Sequence, residues 1–223
     1  MLKIYEMLHS PYCIPITMIL RSAGQEYESI RVPNWDRSAV IELTGGNYYQ
    51  VPVLVHNGRV VYEESDSSLT VAHYVDEQFM DGALFPDRIS GTHEVLISHL
   101  EDELEGLSFK LCDIHYIEAI ADLNERTNVR RHKERKFGRG CVDRWRRNAP
   151  AIRAELMAGL NRFRGSLTES AYPLTESAYL FGDQPVYADY ALAGVIGNYL
   201  HPAANELDPD QDWLRAWLKR LQP

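Results

Sequence analysis

Cysteine is scarce and scattered in this chain: Cys13, Cys112 and Cys141 are the only three in 223 residues. An odd number at wide spacing excludes a disulfide-stapled scaffold and points to a reducing compartment, with the cytoplasm as the expected location. No apolar run approaches the length of a membrane span and no basic-then-apolar leader opens the sequence, so neither insertion nor export is expected. Basic charge is also in deficit. Lys and Arg number 23 against 32 Asp and Glu, a net charge of −9. That balance argues against a general binder of nucleic acid or anionic membrane, because phosphate neutralisation needs a basic face. Internal repeats and low-complexity tracts are missing too, and no metal is expected. With 45% apolar and 25% charged residues, the composition is that of an ordinary globular chain rather than a disordered one.

What is there begins with changes of period. Leu2–Leu8 reads as a strand. After it, Ile16, Ile19, Leu20 and Ala23 share one helical face, and Gly24 follows where helices commonly end in a left-handed residue. Tyr27–Val32 reads as a second strand, and Asp36 is placed to cap a short helix carrying Ala39, Val40 and Leu43 before Gly45 and Gly46. In VPVLVHNGRVVYE, β-branched runs flank Asn57-Gly58, the dipeptide suited to a type I′ turn, which predicts a hairpin. Leu69, Ala72, Val75 and Phe79 then return to helical spacing, with Ser65 to Ser68 available as caps.

The order is therefore β-α-β-α-β-β-α over residues 1–79, a turn-rich linker over 80–89, and a domain without convincing strands over 90–223. Helices are expected at about Ser90–Ile120, Asp143–Leu167 and Ala188–Leu200, with a short last one through Trp213, Leu214, Trp217 and Leu218. Segment 108–140 reads as less regular.

The stretch HSPYCIPI raises the chemical question. Ser10 precedes a Pro at a helix start, where a serine caps the first amides. Its hydroxyl is equally a donor that can favour a charged ligand sulfur. Cys13 lies in the first helical turn, where the dipole can acidify a thiol; free cysteine is also among the most buried residue types. Pro52 removes a ladder N–H inside a strand-like run, which places it at an edge or at a special peptide bond.

SPYC at a helix start, a proline entering the third strand and a helical second domain together resemble the glutathione transferase superfamily. The resemblance covers the chain, and YLFGDQPVYADYALAG is similar to that family's helix-start segment. It implies an α/β thioredoxin-like domain followed by an all-α domain, glutathione as co-substrate, a small electrophilic substrate, a role in detoxification and a homodimer. Ser10 then matches the hydroxyl of serine-type transferases, and Cys13 the resolving cysteine of the glutaredoxin-like motif. Tyr12 lines the site, Pro52 is cis, and Val51 pairs with the cysteinyl portion of glutathione. Counting back from Tyr74 gives Ser67 and Ser68 as the pair that holds its γ-glutamyl end. The family carries an acid at the first of these, so Ser67 is a departure, with Glu64 and Asp66 slightly upstream.

Two other readings are implied: a thiol-disulfide oxidoreductase using Cys13, and a noncatalytic glutathione-binding protein. Asp189 is expected to accept amide hydrogen bonds at its helix start as a structural feature, Val186 standing where a hydroxyl would complete the pair. Residues 126–147 hold ten basic side chains. They read as a solvated face, or as a surface for an acidic substrate, a partner, or nucleic acid stacked on Phe137 and Trp145.

Overall fold

The computed structural model describes residues 1–64, 69–168 and 178–221. The first segment builds a four-stranded sheet in the order β2-β1-β3-β4, from β1 (Leu2–Glu6), β2 (Glu28–Arg31), β3 (Val53–His56) and β4 (Arg59–Val61). β1 pairs parallel with β2 and antiparallel with β3, so α1 (Cys13–Ser22) is the crossover that a parallel pair requires. The β1–β2 register sets Lys3 opposite Glu28, and their side chains pair at 2.9 Å. Along β1, Leu2, Ile4 and Glu6 are buried while Lys3 and Tyr5 are half-exposed, the period of two that a strand imposes. Glu6 is a buried carboxyl in that row, and the Ser29 hydroxyl donates to it across the sheet.

The local expectations translate directly. Ile16, Ile19 and Leu20 of α1 are buried, and Gly24 adopts φ +65° while the Gln25 amide returns to the Leu20 carbonyl at 2.9 Å. Asp36 accepts from the Ser38 amide at 2.9 Å and opens α2 (Ser38–Leu43). Asn57 and Gly58 both take positive φ, 52° and 86°, between β3 and β4, which is the I′ hairpin. α3 (Thr70–Phe79) buries Val71, Ala72, Tyr74 and Val75. The serines expected to cap it lie outside the described residues.

Beyond Phe79 the chain is held rather than loose: buried Asp76 accepts from the Leu84 amide at 2.9 Å, and the Leu84 carbonyl accepts from Tyr187 at 3.0 Å. The long helix expected over 90–120 is α4 (Ser90–His99) and α5 (Glu105–Ala119), joined without a break by a π turn at Leu100–Leu104. Segment 108–140 is more regular than expected, since α6 (Leu123–Phe137) fills its second half. Only Val129 of α6 is buried, which is why no apolar period announces it. The helix expected at 143–167 divides into α7 (Cys141–Asn161) and α8 (Arg164–Thr168); α9 (Tyr187–Leu200) and α10 (Asp212–Arg220) follow.

The main core crosses from one part of the chain to the other. Ile4, Ile16, Leu20 and Leu54 pack in one cluster with Leu100, Leu104, Leu192 and Tyr199. Each such side chain contributes about 1.5–3 kcal/mol on burial. On the other face of the sheet, Cys13, Val32, Val40, Val51 and Val53 form a smaller cluster beneath the first loop.

Candidate functional site

The loop after β1 turns on itself when the Ser10 amide bonds to the Met7 carbonyl at 2.9 Å. The Ser10 carbonyl then accepts from Cys13 and Ile14, both at 3.1 Å, and its Oγ accepts from the amides of Tyr12 and Cys13, both at 3.3 Å. Ser10 thus caps α1. A hydroxyl has two acceptor positions and one proton, so capping uses the lone pairs and leaves the proton to be donated.

Cys13 is wholly enclosed, and burial pushes its thiol up to about 12 even though the Ser10 hydroxyl and the Met7 amide favour the thiolate. As a nucleophile or redox cysteine it lacks both the exposure and the acidity that role needs. Tyr12 is 36% exposed as a residue, and its hydroxyl is pushed up by burial and by Glu105, Glu101 and Asp102. His9 is buried with its ring 4.2 Å from that of Tyr116 and 5.2 Å from that of His201. Burial, then His201, Lys133 and Arg37, push it down to about 3, so it stays neutral.

The Val51–Pro52 peptide is cis. Pro52 does not lie at a sheet edge: it immediately precedes β3, an interior strand of the sheet, and leaves Val51 outside the ladder beside the Cys13 cluster.

Ser67 and Ser68 lie outside the described residues, but the end of α3 they were expected to serve is visible. The Glu63 carboxylate spans it, accepting from Thr70 at 2.7 Å and Val71 at 3.3 Å. Burial pushes Glu63 up to about 7, against the pull of those two amides. Reasoning from the sequence considered Glu64 and Asp66 as nearby acids and missed Glu63. The signal was its place at the end of β4, where a side chain can reach back over the helix that follows.

Two more contributions come from residues distant in sequence. Asn198 of α9 donates to the His9 carbonyl at 2.5 Å and accepts from Ser108 of α5 at 2.9 Å, tying the first loop to two helices. Gly194 approaches so closely that a Cβ there would meet the Pro11 carbonyl oxygen at 2.3 Å. Arg37, before α2, donates from Nη2 to Asn34 at 3.3 Å, while Nη1 is buried with no hydrogen-bond partner among the described residues. Its charge acts on Cys13 and Tyr116.

Asp189 accepts from Val186 at 3.0 Å and Leu180 at 2.9 Å, a structural role as expected, and burial raises it to about 6. The basic stretch is neutralised locally in part. Arg130 pairs with Asp143 at 3.1 Å, Lys133 with Asp113 at 2.7 Å and Arg146 with Glu118 at 2.5 Å. Phe137 and Trp145 pack against Phe109 and each other with centroids 5.2–5.6 Å apart, which corrects their reading as free stacking groups for nucleic acid.

Residues 4–81 match the family described as glutathione S-transferase, N-terminal domain. A probable glutathione S-transferase of Nicotiana tabacum is 29% identical over 38% of this chain and 36% of its own length. A glutathione S-transferase of Arabidopsis thaliana is 33% identical over 34% of this chain and 32% of its own. The chain thus spans about a third of the length of the curated relatives it matches. Likeness of fold extends further. A glutathione transferase of Phanerochaete chrysosporium superposes with a TM-score of 0.76 at 17% identity, covering 99% of this chain and 95% of that one. A glutathione S-transferase of Ceriporiopsis subvermispora, in complex with glutathione, gives 0.74 at 16% identity over 100% and 98%. Residues 4–81 thus form a glutathione S-transferase N-terminal domain, and the chain as a whole has the fold of the solved glutathione S-transferases.

Proposed function

We propose that this protein binds glutathione in the cleft above α1 and activates its thiolate, through Ser10, for attack on a small electrophile. One observation carries the reading: the Ser10 hydroxyl is fixed at a helix start by two amides that use only its lone pairs. The remaining proton, which favours the Cys13 thiolate in the free protein, turns to the ligand sulfur when glutathione binds. A hydrogen bond to a charged acceptor contributes about 1.5–3 kcal/mol, enough to lower a thiol pKa by roughly 1–2 units. The N-terminal end of α1 adds partial positive charge.

In the reaction, glutathione loses its thiol proton to solvent. The sulfur lone pair forms a bond to the electrophilic carbon, and either a leaving group departs with its electron pair or the π pair of an activated alkene moves to its carbonyl oxygen and is then protonated by water. Val51 pairs with the cysteinyl backbone beside Pro52, Tyr12 closes the site, Ser67 and Ser68 take the γ-glutamyl end, and Arg37 meets the remaining carboxylate with its free donors. Detoxification by a cytoplasmic homodimer is the setting this reading implies; the cysteines are all unpaired, as in a reducing compartment.

Ser10→Ala tests it. Conjugation of glutathione should fall roughly ten- to more than a hundred-fold, the kinetic equivalent of that hydrogen bond, while Cys13→Ala stays near the parent rate. Equal rates for Ser10→Ala and the parent, with both folded, would refute the mechanism. A noncatalytic protein with weakened glutathione contact is the second reading, favoured by Glu63, which already occupies the end of α3 where the γ-glutamyl carboxylate would sit. Calorimetry with glutathione separates the two: a binder without turnover supports the second.

A further inference from the structure

The basic stretch has no part in the reaction proposed above, yet the fold gathers some of it around a cavity. About 290 Å³ of open space lies between the end of α5 and one side of α6, lined by Ile117, Glu118, Arg126, Thr127, Arg130 and Arg131. Arg126 and Arg130 are four residues apart, as are Thr127 and Arg131, so the four stand in two adjacent rows along the helix. A chain of ion pairs joins three helices at this cavity. Glu118 of α5 pairs with Arg146 of α7 at 2.5 Å, Arg146 with Asp143 at 3.3 Å, and Asp143 with Arg130 of α6 at 3.1 Å.

Those four residues balance one another in charge, and Arg131 is balanced by its partner Glu134. Arg126 is not balanced. It is half-buried, and its side chain has no hydrogen bond or ion pair among the described residues. The acids near it in sequence face other groups: Asp122 accepts from the Glu125 amide at 2.8 Å, and Glu125 acts on the Tyr116 hydroxyl. Arg130 and Arg131 reach their carboxylates through Nη1 alone, which leaves Nε and Nη2 of both. The Thr127 hydroxyl makes no hydrogen bond among the described residues. A guanidinium carries five N–H donors, so one whole fork, parts of two others and a hydroxyl line a single space.

Such forks match the paired oxygens of carboxylates and phosphates. One fork satisfies the two oxygens of a carboxylate, whereas a phosphoryl group offers three oxygens to three arginines and a hydroxyl. The cavity is near the lower end of small-molecule sites, about 300–1,000 Å³, which is more room than a bare phosphate ion fills, and Ile117 gives the remainder an apolar wall. We propose that this cavity binds a small phosphate monoester, with its phosphoryl group held by Arg126, Thr127, Arg130 and Arg131 and its organic part against Ile117. The site shares no residue with the cleft at Ser10 and needs no turnover there.

The full-length protein is titrated calorimetrically with phenyl phosphate, phenyl sulfate and inorganic phosphate, above pH 7, where a phosphate monoester with its second pKa of about 6 is a dianion. Phenyl phosphate should bind most tightly. Phenyl sulfate, a monoanion of the same shape, and inorganic phosphate, which has no organic part, should each be at least about three-fold weaker. Arg126→Gln should weaken phenyl phosphate about ten-fold, the equivalent of one charge-assisted hydrogen bond, and Lys219→Gln, which removes the same charge from α10, should leave it unchanged. Glu118→Gln should tighten it about two- to five-fold by removing the one carboxylate at the cavity, a gain that shrinks as salt is added. Saturating glutathione should change none of these affinities. Absence of binding, phenyl phosphate no tighter than either other probe, or parent affinity in Arg126→Gln would overturn the proposal. Displacement by glutathione would also overturn it, by placing the probe at Ser10. If Arg126→Gln does not fold, Glu118→Gln decides: affinity equal to the parent's would sink the site.

Discussion

Replacing Gly194 by alanine tests how the reactive loop is held. A Cβ on Gly194 would lie 2.3 Å from the Pro11 carbonyl oxygen and 2.8 and 2.9 Å from Pro15 Cγ and Cδ. Ordinary contact begins near 3.4 Å, so the loop or the helix has to retreat by about 1 Å. The neighbours are a backbone carbonyl and a proline ring rather than the end of a flexible side chain, which puts the strain toward the upper end of the roughly 1–3 kcal/mol of overpacking. Alanine returns about 1 kcal/mol in helix propensity, leaving a net loss of about 1–2 kcal/mol. The urea midpoint should fall accordingly. Activity should suffer more than stability, because a shift of about 1 Å in Ser10 can cost on the order of a hundred-fold in rate. Gly106→Ala in α5 is the control: no atom lies within 4 Å of its Cβ position, so it should be neutral or stabilising. If Gly194→Ala were as stable as Gly106→Ala and conjugated glutathione at the parent rate, the close approach of α9 to the first loop would not be what positions Ser10.

Lys133→Met should destabilise by about 3–5 kcal/mol near neutral pH, since it strands Asp113, whose side chain is 3% exposed. The loss should lessen in acid as Asp113 takes up a proton, which thermal melts across pH would show. Glu63 is raised in the folded state to about 7 from 4.5, so the folded protein binds the extra proton. That group's contribution falls as pH rises between those two values. Glu63→Gln should accordingly show a shallower decline of the denaturant midpoint over this window, and a slope identical to the parent's would refute the assignment. Arg37→Met should weaken glutathione roughly ten-fold or more by removing a half-buried cation whose field reaches Cys13, with little change in melting temperature; unchanged calorimetric affinity would remove Arg37 from the site.

Much of the first eighty residues was legible because their signals are local. Asn57-Gly58 needs only its own φ angles and its β-branched flanks to declare a hairpin, and the face of α1 shows in Ile16, Ile19 and Leu20. α6 was not legible, since a helix that buries only Val129 and is otherwise covered in charge carries no period. Ser10 could be singled out from its place before a helix, whereas Gly194, Asn198 and Arg37 could not. Their parts depend on the approach of segments far apart in sequence. Glu63 was hidden differently: two nearer acids stood beside the serines, and only the fold shows which carboxylate reaches the amides of Thr70 and Val71.

The bond from Asn198 to the His9 carbonyl joins residues 189 positions apart. The loop that presents Ser10 is therefore incomplete until α9 has been made, however early its own strand and helix have formed. The two halves are not interchangeable cassettes. A chimera cut between residues 80 and 89 would inherit the sheet, the cap and the cis proline, yet its reactive turn would rest against a foreign α9. Such a graft would have to carry Gly194 and Asn198 with it, because the surface that finishes the first domain is encoded in the second.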